Sequence, residues 1–243
     1  MSKKVSSRIE IIDFLRGLAI INMIIYHLLY SLVFVFDVEI GFFSIERFYP
    51  YQQYIAWSFI LLSGFSINLS KNPIKNSIIV IISAILVSLV TYIVTPKLMI
   101  KFGILHFMGI SMLIVALSKD LLKLINPYVG AILSFSVFFY LWENGVVVFS
   151  FFEKFSELNL FYLGFPNLTF SSSDYFPLLP WFFLFLTGFF IGRLNEVYRN
   201  PLGKYNVNIP MLNYIGKHSL VIYLLHQVII FISLTILRKI GII

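Results

Sequence analysis

The chain of 243 residues is 59% hydrophobic and only 12% charged, and its mean hydropathy is +0.92. These values exclude a soluble globular protein and predict an all-α integral membrane protein. The absence of cysteine excludes disulfides, thiolate nucleophiles and cysteine metal sites. The net charge of +7 is assigned to loops that face anionic lipid, and nucleic acid is not expected as a partner.

Apolar runs predict a polytopic bundle of about seven transmembrane helices that forms a single domain over residues 1–243. The predicted spans are 11–36, 51–70, 76–95, 103–118, 127–148, 177–194 and 212–237. The fourth and sixth spans are short for a bilayer. The longest connection, 145–176, is rich in aromatic residues, which predicts a folded lid or a re-entrant segment.

The basic residues predict the orientation in the membrane. Lys3, Lys4 and Arg8 precede the first span, and most acidic residues fall in the alternate loops. We therefore expect a multi-pass plasma-membrane protein with a cytoplasmic N-terminus and an extracytoplasmic 145–176 connection. The first apolar run exceeds the length of a signal-peptide core, which predicts that it is retained as a span.

The first span carries ionisable residues that a lipid-facing helix does not need. Arg16 and His27 are 11 positions apart, which places them within about 20° of one direction on a helix and about 16 Å apart along its axis. Asp13 lies within reach of Arg16, and Tyr30 follows His27 on the same side. Asn22 points about 120° away from Arg16 and is assigned no role. This face suits a ligand with a negative end near Arg16 and a reacting end near His27.

The two polar positions carry different alternatives. Arg16 with Asp13 is equally well explained as an interfacial anchor whose charged head reaches the membrane surface. His27 lies well inside the span, where ionisable side chains most often face a functional cavity. The functional interpretation is therefore stronger for His27 than for Arg16.

The last span adds a second polar stripe. Ser219, Tyr223 and His226 follow the i, i+4, i+7 spacing of one helix face. Either His226 belongs to a site, or the stripe makes interhelical hydrogen bonds. Lys217 and His218 open this span on the cytoplasmic side, where an anionic cofactor tail could meet them, although the positive-inside bias explains both equally well.

Two further candidates lie elsewhere in the chain. His106 is near the predicted outer start of the fourth span, where an interfacial role and a site role are equally plausible. Trp181 follows Pro180 and is better explained as an interfacial or core aromatic than as a substrate platform.

Four stretches of the sequence resemble one family of membrane enzymes. They are "IDFLRGLAIINMIIYH", "FGILHFMGISMLI", "PLLPWFFLFLTGFFIGR" and "IGKHSLVIYLLHQ". Their wording and order resemble the catalytic domain of the heparan-alpha-glucosaminide N-acetyltransferase family, within the wider group of transmembrane acyltransferases that modify glycans. The chain is much shorter than the lysosomal members, so heparan sulfate itself is not expected as its substrate.

The resemblance implies transfer of an acetyl group from cytoplasmic acetyl-CoA to an amine or hydroxyl of an extracytoplasmic sugar or glycan. In that scheme Arg16 and Asp13, with Lys217 and His218, serve the CoA phosphates, since a guanidinium suits bidentate phosphate contacts. His27 acts as a neutral base, and Tyr30 or His226 orients it. Direct transfer and an acetyl-histidine intermediate both stay open. No metal is expected, membrane lipid is an expected partner, and a homodimer is left open.

Two rival classes make different predictions. A small multi-span transporter also needs only one arginine and a few histidines in a bundle, and it would accumulate substrate without a covalent product. A structural membrane subunit would not bind CoA and would leave the alignment of Arg16 with His27 unexplained.

Overall fold

The computed structural model describes residues 9–150, 157–204, 207 and 209–243. The described residues form eight α-helices, which we number in chain order: α1 (Glu10–Phe34), α2 (Ile45–Ser66), α3 (Pro73–Val94), α4 (Ile104–Leu122), α5 (Pro127–Ser150), α6 (Leu178–Val197), α7 (Pro210–Lys217) and α8 (Ser219–Lys239). Within these residues, extended backbone pairs only at isolated bridges. The all-α class is therefore confirmed. Lys3, Lys4 and Arg8, on which the predicted orientation partly depends, lie outside the described residues.

Five of these helices are long and apolar enough to cross a membrane, namely α1, α3, α4, α6 and α8. The predicted number of about seven spans is therefore not confirmed. The other two long helices carry polar residues within their length: Glu46, Arg47, Gln52 and Gln53 in α2, and Glu143 and Asn144 in α5. By contrast, α4 and α6 have 19 and 20 residues, which gives each a length of about 30 Å, close to the hydrocarbon thickness.

The last predicted span is two helices. The chain leaves the helical conformation at His218, where φ is −107° and ψ is 20°. The backbone N–H of His218 donates to the carbonyls of Tyr214 and Ile215, which closes α7 before α8 begins. The prediction of one continuous span over 212–237 was wrong, because apolar periodicity does not register a single residue that breaks the helix.

Proline and asparagine fix where several helices begin. Pro73 and Pro210 each stand in the first turn of a helix, where the missing N–H costs nothing and the fixed φ suits the helix. Asn126 precedes α5, and its Oδ1 accepts hydrogen bonds from the backbone N–H groups of Tyr128 and Val129. These residues explain why α3, α5 and α7 begin where they do.

The helices form two compact units, and the division falls within α2. The first unit contains α1, the part of α2 through Phe59, α7 and α8. Its core is a cluster of buried residues from α1, from the loop before α2 and from α2 itself: Ile20, Met23, Tyr26, Phe43 and Ile55. In a water-soluble protein, burial of one such side chain stabilises the fold by about 1.5 to 3 kcal/mol. In a membrane protein the same contacts stabilise the fold through van der Waals packing.

The second unit, Ile60–Pro201, contains the end of α2 and α3 to α6. In this unit α3 packs on α4, and α5 packs on α6. Gly188 and Gly192 of α6 approach the backbone of Leu61 and Phe65 so closely that a methyl group at either glycine would overlap a carbonyl oxygen or the atoms beside it. Small residues at such crossings let two helices pack backbone to backbone.

The described part of the long connection, residues 157–177, folds against the turn between α3 and α4. Helix α5 continues to Ser150, into the stretch predicted as a connection, and residues 151–156 lie outside the described residues. The two connections therefore meet at one end of this unit. At the other end, the hydroxyl of Tyr128 donates to that of Tyr198 across 2.6 Å, which joins the start of α5 to the end of α6.

Candidate active site

Helix α1 is uninterrupted from Glu10 to Phe34, so the 11-residue spacing of Arg16 and His27 applies to one rigid element. Arg16 Nη1 lies 3.4 Å from Asp13 Oδ1. The Asp13 side chain is 3% exposed and the Arg16 side chain 27% exposed. Asp13 therefore holds one side of the guanidinium, and the rest of that group reaches the surface of the unit.

The short helix α7 lies directly against this part of α1. A methyl group on Gly17 would overlap the carbonyl of Leu212, and one on Gly216 would overlap the carbonyl of Asp13. The two backbones are therefore in contact at both glycines, and the order of these contacts makes α7 antiparallel to α1. Asn213 strengthens the contact, since its Nδ2 donates to the carbonyl of Glu10 at 3.2 Å.

This contact brings the predicted donor-binding residues to one end of α1. Lys217 and His218 follow Gly216 directly and are both exposed, so they lie at the same end as Asp13 and Arg16. The group has three basic side chains and one buried acid. It fits a multiply charged anion such as the phosphates of CoA, because the exposed cations can approach it while Asp13 keeps the guanidinium oriented.

Helix α8 brings a second imidazole to His27. The ring centroids of His27 and His226 are 4.9 Å apart, with an angle of 57° between the ring planes. Farther along, Gln227 Nε2 donates to the buried hydroxyl of Ser31 at 3.3 Å. Ser31 follows His27 in α1 and its partner Gln227 follows His226 in α8, so α8 is parallel to α1. Both histidines were predicted from the sequence as site residues, and the structure brings their rings together.

Hydrogen bonding identifies the protonated nitrogen of His226. Its Nδ1 is bonded to the backbone carbonyl of Tyr223. A carbonyl oxygen only accepts, so Nδ1 carries the proton and donates. In the neutral ring Nε2 then holds the lone pair, and within the part of the chain that the structure describes this buried atom has no hydrogen-bond partner. His226 is therefore arranged as a base with its accepting nitrogen unused.

Tyr30 and Ser219 have less direct positions. The Tyr30 ring contacts the rings of Tyr26 at 6.4 Å and Phe34 at 4.9 Å and belongs to the aromatic packing of the first unit. Ser219 is the first residue of α8 and is partly buried. Of the two partners proposed for orienting His27, His226 is the one with a described ring contact to it.

The structure gives Asn22 a packing role. Its Oδ1 accepts a hydrogen bond of 2.7 Å from the hydroxyl of Tyr51 on α2, and its Nδ2 donates to the carbonyl of Leu18 at 2.8 Å. The side chain therefore fixes α2 to α1 on a face away from Arg16.

His106 and Trp181 both lie in the second unit. Trp181 is 6% exposed and packs against the rings of Phe138, Trp142 and Phe176. This is the position of a core aromatic. His106 is partly buried near the start of α4, where its Nε2 lies 3.3 Å from Ser88 Oγ.

Sequence reasoning missed the residues that build the Arg16 end of the site. Gly17 stands next to Arg16 and Gly216 next to Lys217, and each glycine is required because a neighbouring backbone occupies the space of a side chain. A glycine beside a charged residue inside an apolar span was the available signal. Asn213 carried no signal of its own, because its partners are backbone carbonyls.

A comparison with protein-family models matches residues 8–228 to the model described as "Heparan-alpha-glucosaminide N-acetyltransferase, catalytic". The chain belongs to this family. No curated protein and no solved structure matched in the corresponding comparisons. The heparan-alpha-glucosaminide N-acetyltransferase family match covers α1 through α7 and the first 10 residues of α8, and it makes this protein a membrane acetyltransferase.

Proposed function

We propose that this protein transfers an acetyl group from cytoplasmic acetyl-CoA to an amine or hydroxyl of an extracytoplasmic sugar. The main support is the pair formed by His27 and His226, in a chain that belongs to an acetyltransferase family. The N-terminus is cytoplasmic in this proposal, and the protein resides in the plasma membrane. Arg16 then faces the compartment that contains CoA.

The residues at the Arg16 end bind the donor. Arg16, Lys217 and His218 contact its phosphates, and Asp13 orients the guanidinium through the 3.4 Å ion pair. Acetyl-CoA supplies the activated acetyl group as a thioester. The axial distance of about 16 Å from Arg16 to His27 is long enough to separate phosphate binding from chemistry.

The histidine pair moves the proton. A neutral imidazole of the pair removes a proton from the acceptor's amine or hydroxyl as that atom attacks the acetyl carbonyl. The new bond to the carbonyl carbon forms, the bond from that carbon to sulfur breaks, and the proton goes from the imidazole to the leaving thiolate. His226 suits the role of orienting His27. The carbonyl of Tyr223 keeps the proton of His226 on Nδ1, which leaves Nε2 able to accept from a second donor.

The decisive experiment uses purified protein in lipid nanodiscs with radiolabelled acetyl-CoA and a panel of amino sugars, followed by mass analysis of the products. We expect a covalent acetylated sugar. His27→Ala should lower the transfer rate by about 10²- to 10⁴-fold, the usual contribution of a general base. CoA binding should persist in this variant, because the phosphates are bound at the other end of α1.

The matched control is Leu28→Ala, at the next residue of α1, whose side chain is 37% exposed. It should keep the wild-type rate. Full transfer by His27→Ala would exclude His27 as the base. Uptake of an unmodified sugar into vesicles, with no acetylated product, would instead identify a carrier.

A further inference from the structure

His106 has one ring nitrogen committed and one unused. The hydroxyl of Ser88 donates its only proton to the carbonyl of Ile100. The Ser88 oxygen can therefore only accept from His106, so Nε2 of His106 carries the proton and donates across 3.3 Å. The lone pair of the neutral ring is then on Nδ1, which is buried and has no hydrogen-bond partner among the described residues.

An unused acceptor of this kind is costly. Buried polar atoms in folded proteins nearly always have a hydrogen-bond partner. A ligand that leaves such an atom unpaired binds about tenfold more weakly than one that supplies the missing donor. A histidine with both nitrogens bonded would leave no acceptor for a ligand. The arrangement at His106 instead keeps one acceptor available for a group that arrives later.

The atoms that cover His106 belong to the meeting point of two connections. We call this meeting point the clasp, formed by Leu98–Ile104 and Ser172–Phe176. The ring of Phe102 stacks on the His106 ring, with centroids 5.8 Å apart and planes at 27°. The same residue accepts a backbone hydrogen bond of 2.9 Å from Phe176. Releasing the clasp therefore frees the residue that lies over the imidazole.

A few hydrogen bonds close the clasp. Ser172 Oγ accepts from the backbone N–H of Lys101 at 3.1 Å, and Asp174 Oδ2 accepts from that of Ile104 at 2.9 Å. Ser173 Oγ donates to the carbonyl of Leu98 at 2.6 Å. The segment Ser172–Phe176 is thus held mainly by its own side chains, which form hydrogen bonds with the backbone of Leu98–Ile104. Such a closure can open locally without unfolding the helices.

The chemistry of the site selects its ligand class. A lone pair on neutral imidazole accepts from a hydroxyl or an amine and repels another acceptor. Asp174 accepts from the backbone N–H of Ile104, so its own carboxylate already occupies the N-terminus of α4, where an anionic ligand would otherwise be attracted. A ligand with several O–H and N–H donors and little negative charge fits these conditions, and a sugar is such a ligand.

We propose that His106 is a sugar-binding residue of the second unit, and that a hydroxyl or amine of the sugar donates to its Nδ1 once the clasp opens. The identity of the ligand rests on the proposed function. The existence of the unused acceptor and of its cover does not. His106 takes no part in the proton transfer assigned to His27 and His226.

The test is nitrogen NMR of histidine-labelled, full-length protein in nanodiscs. The chain has four histidines, so the spectrum is small, and single substitutions assign it. Without ligand, His106 should have its proton on Nε2. Titration with D-glucosamine, with no acetyl donor present, should produce a saturable shift of the His106 Nδ1 resonance. The His218 resonances, from an exposed residue of the first unit, provide the internal reference.

Two variants extend the test. Ser88→Ala leaves His106 in place but removes its fixed partner, so the preference for the Nε2–H form should disappear. His106→Phe should raise the Kd for D-glucosamine about tenfold, with little change in the Kd for CoA. If His106→Phe fails to fold, the wild-type titration still decides, because His106 can be assigned by eliminating the other three histidines.

The outcomes separate this inference from the proposed function. Acetylation of glucosamine without any shift at His106 would overturn the inference alone, as would a proton on Nδ1. A saturable shift at His106 without acetylation would support the binding site and contradict the proposed reaction. Absence of both, with every sugar of the panel, would overturn both.

Discussion

Replacing Asp174 by asparagine should remove a pH dependence from the clasp. Burial raises the pKa of the Asp174 carboxyl from its ordinary value of 3.8 to about 6, and the hydrogen bond from Ile104 opposes only part of that rise. Between these two pH values the folded protein holds a proton that the unfolded chain releases. The stability contributed by this group is therefore fully present below about pH 4 and is lost as the pH rises through 6.

The magnitude follows from the size of the shift. A change of about two pKa units corresponds to about 3 kcal/mol, or a hundredfold change in the equilibrium between closed and open clasp. Asparagine keeps an oxygen that accepts from Ile104 but does not titrate. The difference in stability between wild type and Asp174→Asn should therefore change by about 3 kcal/mol between pH 4 and pH 7, with the variant favoured at the higher pH.

The assay is thermal unfolding of both proteins in detergent at pH 4, 5, 6 and 7, with hydrogen exchange of residues 98–104 and 172–176 as the local measurement. Other carboxyl groups titrate in the same range, so the difference between the two proteins is the quantity to compare. Asp37→Asn is the control, because Asp37 is exposed and its positive φ of 56° is one that asparagine adopts readily. Parallel curves for wild type and Asp174→Asn would refute the reasoning.

Two further substitutions test the packing of the first unit. Gly216→Ala places a methyl group against the backbone of α1 and should lower the free energy of unfolding by about 3 kcal/mol, at the upper end for overpacking, whereas Gly41→Ala, which meets nothing within 4 Å, should be close to neutral in the same denaturation assay. Equal stability of the two variants would exclude the backbone contact. Tyr51→Phe removes the 2.7 Å hydrogen bond to Asn22 and should cost about 1 kcal/mol; an unchanged midpoint would mean that Asn22 is satisfied by other groups.

The first helix was predictable because its signal is local. Length, apolar content and the 11-residue spacing of Arg16 and His27 depend only on helix geometry, and α1 runs unbroken through both residues. The partnership of His27 with His226 was predicted only as one of two possibilities, because Tyr30, three residues after His27 on the same helix, was the other candidate. The choice between them depends on α8, which lies about 200 residues away in the chain.

Other features could not be read from spacing. The break at His218 depends on one residue's dihedral angles, and hydropathy averages over it. The clasp depends on bonds from serine and aspartate side chains to distant backbone groups, and any sequence with these residue types in loops would look the same. The unpaired ring nitrogens, Nδ1 of His106 and Nε2 of His226, depend on which donors lie nearby in the folded chain, and a sequence does not contain that information.

The break at His218 means that the two ends of the proposed site are held by different helices. Helix α7 fixes the Arg16 end and α8 fixes the His27 end, and the element common to both is α1. The separation between the two ends is therefore set by the rise per residue of α1 and by the number of residues between Arg16 and His27, rather than by the packing of α7 or α8. One residue inserted between Arg16 and His27 would turn the far end by about 100° and advance it by about 1.5 Å. The length of the reaction path is in this sense encoded by the number of residues in one helix, which neither α7 nor α8 can alter by shifting.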